Sequence, residues 1–270
     1  MKRPGLIAGA LLVALLLMAA GLSYLWTPWP PFEMAMADRL QPPSWPHWMG
    51  TDAYGRDIAS QLLLGARASI AVGVAAVAIG LVAGTAIGLL AAARRGWTED
   101  LLMRLTDLGL AFPALLTAVA LTAVYGPGIG NAMLAIGLYN VPTFARIARA
   151  GARSVWARDF VRAAKATGRG PWAITFVHVL PNIAPLLLVQ ATVRFGVAIL
   201  AEAALSYLGL GTQPPMPSWG RMLSEAQTLM STAPWLAIFP GAAIAMAVLG
   251  VNLLGDGLRD WLDPRLGGGR

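Results

Sequence analysis

Residues 68–93 read ASIAVGVAAVAIGLVAGTAIGLLAAA, a segment without a charged side chain. Because an α-helix of about 20 apolar residues crosses the hydrocarbon core of a bilayer, this segment predicts a membrane-spanning helix. Gly80, Gly84 and Gly88 recur at every fourth position within it. That spacing either lets a second helix approach closely or reflects the general enrichment of glycine in membrane helices.

The whole chain shares this apolar composition. Of its 270 residues, 57% are hydrophobic and 12% are charged, whereas soluble domains carry about 25% charged residues. Disordered chains are poor in hydrophobic residues, so disorder is excluded as well. The chain contains no cysteine, which excludes disulfides and zinc–thiolate sites. We therefore expect an all-α polytopic membrane protein.

Five further apolar segments bring the predicted number of transmembrane helices to six, in a single domain covering 1–270. The first span is placed at 1–26, an extracytoplasmic segment at 27–67, and a five-span core at 68–270. The first apolar stretch exceeds the apolar region of a signal peptide, about 7–15 residues long, which favours a retained span over a cleaved signal. Pro113 is expected to break the third span near its start. The remaining spans of the core are predicted at 108–124, 129–145, 183–205 and 236–254.

Basic residues are distributed unevenly along this arrangement of spans. With a cytoplasmic N-terminus, 15 of the 20 lysines and arginines fall on the cytoplasmic side, including Lys2, Arg3, Arg265 and Arg270. Cytoplasmic loops of membrane proteins carry such an excess. The distribution predicts cytoplasmic N- and C-termini, and it attributes the net charge of +7 to topology, with no nucleic-acid partner.

A basic cytoplasmic loop is expected at 146–180, between the fourth and fifth spans. Its centre, 159–168, reads DFVRAAKATG. Asp159 is expected to cap a short helix and Gly168 to end it. A short helix with small residues on one face suits insertion into a groove on a cytoplasmic partner. The alternative is a solvated basic loop that reflects only topology.

The loop resembles the coupling loop of ABC importer permeases, whose pattern is Glu-Ala-Ala, three residues, glycine, nine residues and Ile-x-Leu-Pro. Two positions depart from this pattern, since Arg162 replaces the glutamate and His178 the isoleucine. The positions that match are Ala163, Ala164, Gly168, Leu180 and Pro181.

Three further segments resemble one branch of these permeases, the C-type subunit of the dipeptide/oligopeptide/nickel importers. The first, GTDAYGRD at 50–57, is followed by GAR at 65–67. The second, LSYLGLG at 205–211, precedes paired prolines and SWG at 218–220. The third is NLLGDGLRDWLDPR at 252–265. The resemblance therefore covers nearly the whole chain after the first span.

This resemblance implies a type I ABC importer permease fold in the inner membrane of a bacterium. It implies one subunit of a permease heterodimer that works with two cytoplasmic ATPase subunits and an extracytoplasmic solute-binding protein. ATP and Mg would be bound by the ATPase subunits, and no cofactor by this chain. The implied substrates are di- and oligopeptides or, alternatively, nickel and metal chelates. The residues expected to couple to the ATPase are Asp159, Phe160, Arg162, Ala163, Ala164 and Gly168.

The sequence contains no motif of an enzyme. A phosphate-binding loop, Gly-x4-Gly-Lys-Ser/Thr, needs a lysine, and Lys2 and Lys165 both lie outside such a frame. The motifs of zinc proteases and serine hydrolases are also missing. His47 and His178 are expected on opposite sides of the membrane, so they predict no metal site. An ATP-independent channel or secondary transporter is the remaining alternative class.

Two ionisable residues fall within the fifth span. Arg194 and Glu202 are eight positions apart, about 12 Å along a helix, which is too far for direct pairing. Ionisable side chains inside a membrane are costly and often functional. Each is therefore expected either to line the transport pathway or to bond to another helix. Glu202 could meet a peptide amine or a metal cation near the outer end of the span.

Overall fold

The computed structural model describes residues 4–262, which are mostly helical and contain no β-strand. The charges at Lys2, Arg3, Arg265 and Arg270 and the end of the 252–265 motif lie outside the described residues. In chain order the helices are α1 (Pro4–Leu25), α2 (Ile58–Ala93), α3 (Trp97–Ala111), α4 (Ala114–Tyr125), α5 (Ile129–Trp156), α6 (Asp159–Ala166), α7 (Pro171–Ile174), α8 (Leu180–Tyr207), α9 (Trp219–Ala226) and α10 (Trp235–Leu262). A single π-helical turn, Thr175–Val179, joins α7 to α8.

The polytopic all-α prediction is confirmed. Within the described residues, α1, α2, α10 and the combined segment Pro171–Tyr207 are long and apolar enough to cross a membrane. A fifth span is obtained if α3 and α4, bent by 88° relative to each other, are counted as one broken span. The break falls at Pro113, as predicted. Proline lacks an amide proton, and it forces the preceding Phe112 into an extended conformation.

The predicted fourth span, 129–145, lies inside α5. This helix is not among those that qualify by length and composition, because Asn131, Asn140 and Arg146 dilute its apolar residues. On these criteria the spans number four or five instead of six. α5 nevertheless packs along most of α2, and both helices contribute to the buried cores of the bundle.

The glycine spacing in α2 is explained by this contact between helices. A methyl group added at Gly80, Gly84 or Gly88 would collide with the backbone or the first side-chain carbon of α5 between Asn140 and Arg149. Small residues at such positions allow two helix backbones to approach closely. Of the two interpretations offered by the sequence, the packing interface is therefore correct.

Two element boundaries differ from those expected. α2 begins at Ile58, ten positions before the predicted span, because the carboxylate of Asp57 accepts a bond from the Ser60 amide (2.8 Å) and caps the helix. Its 36 residues extend about 54 Å, well beyond a hydrocarbon core of about 30 Å. The region 146–180 is mostly helical: α5 continues to Trp156, and irregular backbone is confined to 157–158 and 167–170.

α2 connects the two ends of the bundle. Near its N-terminus Gly65 contacts the indole of Trp219 in α9. Near its C-terminus Leu89 and Ala92 share a buried cluster with Val161 of α6. We refer to these ends of the molecule as the α9 end and the α6 end.

Candidate functional site

α6 follows α5 after a link of two residues, Ala157 and Arg158. The amide of Arg158 donates to the carbonyl of Val155 (3.0 Å), and the carbonyl of Arg158 accepts from the amide of Val161 (3.1 Å). Arg158, not Asp159, occupies the N-cap position, and it makes no side-chain capping bond. The predicted role of Asp159 as the cap is therefore wrong. Its side chain is 93% exposed and pairs with Arg162 at 3.3 Å.

Gly168 ends α6, as predicted. Its φ of +80° is the left-handed conformation that glycine adopts without steric cost. The Gly168 amide donates to the carbonyl of Lys165 (3.0 Å), and the Arg169 amide donates to that of Ala164 (3.2 Å). These two bonds form a Schellman motif, which satisfies carbonyls that the helix end would otherwise leave unpaired.

The predicted coupling residues lie on two different faces of α6. Val161 and Ala164 are buried against Trp156 of α5 and Ile174 of α7. Fully burying a side chain the size of Val161 contributes about 1.5–3 kcal/mol. Ala164 lies in the same buried cluster as Val161, so both residues help to hold α6 to the bundle. The exposed face carries the other predicted residues, Asp159, Phe160, Arg162, Ala163 and Gly168.

The two departures from the sequence pattern also have structural positions. Arg162 is exposed and forms its ion pair within α6. The His178 ring lies 6.1 Å from the ring of Phe160 and 3.4 Å, by its Nε2 atom, from Nη1 of Arg169. His178 thus supports the exposed side of α6 from the π-helical turn. Phe160 itself is 41% exposed.

A buried carboxylate that the sequence did not single out lies near this end of the bundle. Glu99 of α3 accepts from Arg149 Nε at 2.6 Å and from Arg153 Nη1 at 3.2 Å. Both arginines belong to the region predicted as a basic loop. Their spacing of four residues predicts that both arginines lie on one helix face. Nothing in the sequence identified Glu99 as their partner.

Glu202 is held between helices. Its side chain is nearly inaccessible, and its carboxylate accepts from Ser206 (2.7 Å), from Ser69 of α2 (3.3 Å) and from Thr212 of the following loop (3.4 Å). Ser206 Oγ in turn accepts from the Thr212 amide at 3.0 Å. Of the two roles left open by the sequence, these bonds correspond to the interhelix role.

Arg194 differs from Glu202 in its surroundings. Its Nε atom is buried and has no hydrogen-bond partner among the described residues. Of the roles left open for Arg194, a bond from Nε to another helix is therefore not found within residues 4–262. The structure does not bring Arg194 and Glu202 together, in agreement with their separation along α8.

A family model described as a binding-protein-dependent transport system inner membrane component matches residues 84–268. The chain belongs to this family. Its relatives include the dipeptide transport system permease protein DppC of Alkalihalophilus pseudofirmus, which is 45% identical over 87% of this chain and 77% of the relative. The di/tripeptide transport system permease protein DppC of Pseudomonas aeruginosa is 44% identical over 96% of this chain and 88% of the relative.

A third relative is the glutathione transport system permease protein GsiD of Pectobacterium atrosepticum, 42% identical over 96% of this chain and 87% of the relative. Among solved structures, the inward-facing MetNI methionine ABC transporter matches with a TM-score of 0.63. That match has 16% identity and covers 75% of this chain and 96% of the other. At this identity the likeness concerns the fold, and it confirms the predicted type I permease architecture.

At the α9 end of the permease, the 50–57 motif forms a compact cap on α2. Asp57 Oδ1 lies 3.0 Å from Nδ1 of His47, and both residues are buried. The His47 ring packs against Trp29 with 4.9 Å between ring centroids. Gly55 has a φ of +75° and lies against the backbone of Ala35, so a larger residue would not fit.

The 218–220 motif and α9 lie beside this cap. Trp219 Nε1 donates to the carbonyl of Leu62 at 3.0 Å, which ties the 218–220 motif to α2. Arg56 bonds to Asp52 (2.6 Å) and reaches Glu225 of α9 (3.2 Å). Beside these charges lies an open cavity of about 420 Å³, lined by residues of the cap and of α9. Motifs far apart in sequence therefore form one polar surface.

Proposed function

We propose that this permease is one of two related subunits of an ATP-driven importer of di- and oligopeptides. The observation that carries this proposal is the identity of 42–45% to permeases whose names specify dipeptides, di- and tripeptides or glutathione. Each of these substrates is a short peptide. The chain would form half of the translocation pathway in the bacterial cytoplasmic membrane.

The partners follow from the family and from the two ends of the molecule. We assign the exposed face of α6 to a cytoplasmic ATPase subunit, and the polar surface at the α9 end to an extracytoplasmic solute-binding protein. A second permease would complete the pathway, and a second ATPase subunit would dock on it. ATP and Mg would be bound by the ATPase pair.

The orientation that fits these assignments places the α6 end in the cytoplasm, as the positive-inside rule favours. Five arginines between 146 and 162 lie at that end. The N- and C-termini would then be cytoplasmic as well.

Alternating access is the transport mechanism consistent with this architecture. Closure of the ATPase pair would displace α6, and α6 is joined to the bundle by the buried side chains of Val161 and Ala164. Packed helices shift as units between discrete arrangements. Movement of α6 would therefore move α5, to which it is linked by two residues, and open the pathway to alternate sides.

Uptake by cells that depend on this transporter tests the proposal. Cells with the intact transporter should accumulate a labelled dipeptide in a saturable manner, and an unlabelled tripeptide should compete. Loss of this chain, or of ATP hydrolysis by the partner ATPase, should abolish uptake. Unchanged peptide uptake together with lost nickel uptake in cells lacking the chain would overturn the peptide assignment. Uptake that persists without ATP hydrolysis would overturn the ATP-driven mechanism.

A further inference from the structure

An apolar groove runs along the outside of the bundle between the C-terminal part of α2 and the segment 172–188. Its volume is about 690 Å³. Val82 and Ala86 line one side and are exposed, and Leu188 lines the other. Nearly all lining residues are apolar. We call this feature the α2–α8 groove.

The two threonines of the α2–α8 groove offer little to a polar ligand. Thr175 Oγ1 already donates to the carbonyl of Pro171 at 2.9 Å. Thr85 Oγ1 is itself inaccessible, so it is not presented to a molecule in the groove. A ligand in this groove must therefore be apolar along most of its length, because buried polar groups without partners are costly.

One end of the α2–α8 groove adjoins positive charge. Leu89 and Leu90 line the groove, and α2 ends three residues later. Arg94 follows directly, with its amide bonded to the carbonyl of Leu90, and Arg95 comes next. Both arginines are exposed, and neither forms an ion pair with any residue of the described range 4–262.

The same end has the aromatic residues that are typical of a membrane interface. Trp172 lines the groove with 46% of its surface exposed, and its ring stacks on Phe176 at a centroid distance of 6.3 Å. Tryptophan is enriched at the level of the lipid headgroups. This end of the apolar groove therefore lies at the level of the lipid headgroups, next to Arg94 and Arg95.

We propose that the α2–α8 groove holds an acyl chain of an anionic phospholipid whose phosphate is bound by Arg94 and Arg95. An acyl chain makes no hydrogen bonds and so matches the apolar lining. Two uncompensated arginines favour a headgroup with net negative charge, since a zwitterionic headgroup brings a cation of its own. Basic clusters at the ends of membrane helices bind anionic headgroups in this way.

Photolabelling of the assembled transporter in vesicles tests this site. Phosphatidylglycerol with a photoreactive acyl chain should label the segments 81–90 and 172–188 more strongly than the matching phosphatidylcholine. Each arginine replaced by glutamine should lower phosphatidylglycerol labelling by about fivefold. Arg259→Gln is the matched control, because this exposed arginine lies on α10, which does not line the groove.

A second pair of variants tests the groove itself without changing charge. Ala86→Trp should fill the groove and block labelling, whereas Val74→Trp, at an exposed position of α2 outside the groove, should leave labelling unchanged. Equal labelling by both lipids, labelling that survives removal of both arginines, or no label in the two segments would each overturn the proposal.

Discussion

The α9 end and helix α6 of the permease differ in how they are attached to the rest of the bundle. At the α9 end, the buried Asp57 bonds to His47 and the buried Glu202 to Ser69 of α2. Arg56 links the cap on α2 to α9. At the α6 end, α6 is attached by two buried apolar side chains, and its charged residues face outward. The α9 end is therefore a platform in which buried polar bonds add to the apolar packing. Helix α6 is a small element whose outer face is exposed.

The largest effect is expected where the packing of α6 is broken. Ala164→Arg would place an unpaired charge and a long side chain in the cluster with Trp156 and Ile174, and such changes cost about 4 kcal/mol or more. We expect loss of both membrane level and uptake, measured by quantitative immunoblot and labelled dipeptide. Ala164→Ser should retain both. Normal membrane levels of Ala164→Arg would contradict the buried position.

The neighbouring position should separate folding from coupling. Ala163 is exposed, so Ala163→Arg should leave the membrane level unchanged while the larger side chain obstructs the partner ATPase. We expect uptake to fall at least tenfold, which corresponds to about 1.4 kcal/mol, with Ala163→Ser as the matched control. Wild-type uptake by Ala163→Arg would remove this face from the docking surface.

At the α9 end, loss of the cap on α2 should weaken the platform. Asp57→Ala removes the bond to the Ser60 amide and leaves His47 without its carboxylate partner. A lost cap and a lost charged hydrogen bond together cost about 2 kcal/mol. We expect a lower apparent melting temperature of the purified transporter. Asp57→Asn should lower the melting temperature by less than Asp57→Ala, since an amide oxygen can still cap the helix. Equal melting temperatures for Asp57→Ala and wild type would show that the cap is dispensable.

The smallest effect is expected at Glu202. Glu202→Gln keeps the shape and one acceptor oxygen for the hydroxyls of Ser69, Ser206 and Thr212. The free energy of unfolding should fall by about 1 kcal/mol. Uptake of differently charged dipeptides should stay within twofold of wild type. A selective change for peptides of one charge would place Glu202 in the transport pathway.

Local signals in the sequence predicted the fold class, the break at Pro113 and the end of α6 at Gly168. Proline and glycine impose their backbone geometry wherever they stand, so these positions can be inferred without tertiary context. The resemblance likewise identified the segments that form the α9 platform and α6. The location of α6 in the chain could thus be predicted from the sequence, whereas the division of its residues between a buried and an exposed face could not.

What the sequence could not provide were the partners of polar groups. Asp159 has the residue type of an N-cap, yet the chain turns one residue earlier and leaves it exposed. Glu99 and its two arginines are separated by 50 and 54 positions, and only the packing of α3 on α5 brings them together. α5 fell short as a span for a different reason, because Asn131, Asn140 and Arg146 lower its mean hydropathy.

The π-helical turn at Thr175–Val179 has a further consequence for how α6 and α8 are aligned. A π-helical turn contains one residue more than an α-helical turn, and each residue turns an α-helix by about 100°. Removing one residue from this turn would therefore rotate α7, and α6 with it, about the axis of α8 by roughly that angle. The turn thus sets the angular position of α6 relative to α8, which makes its length as important as its composition.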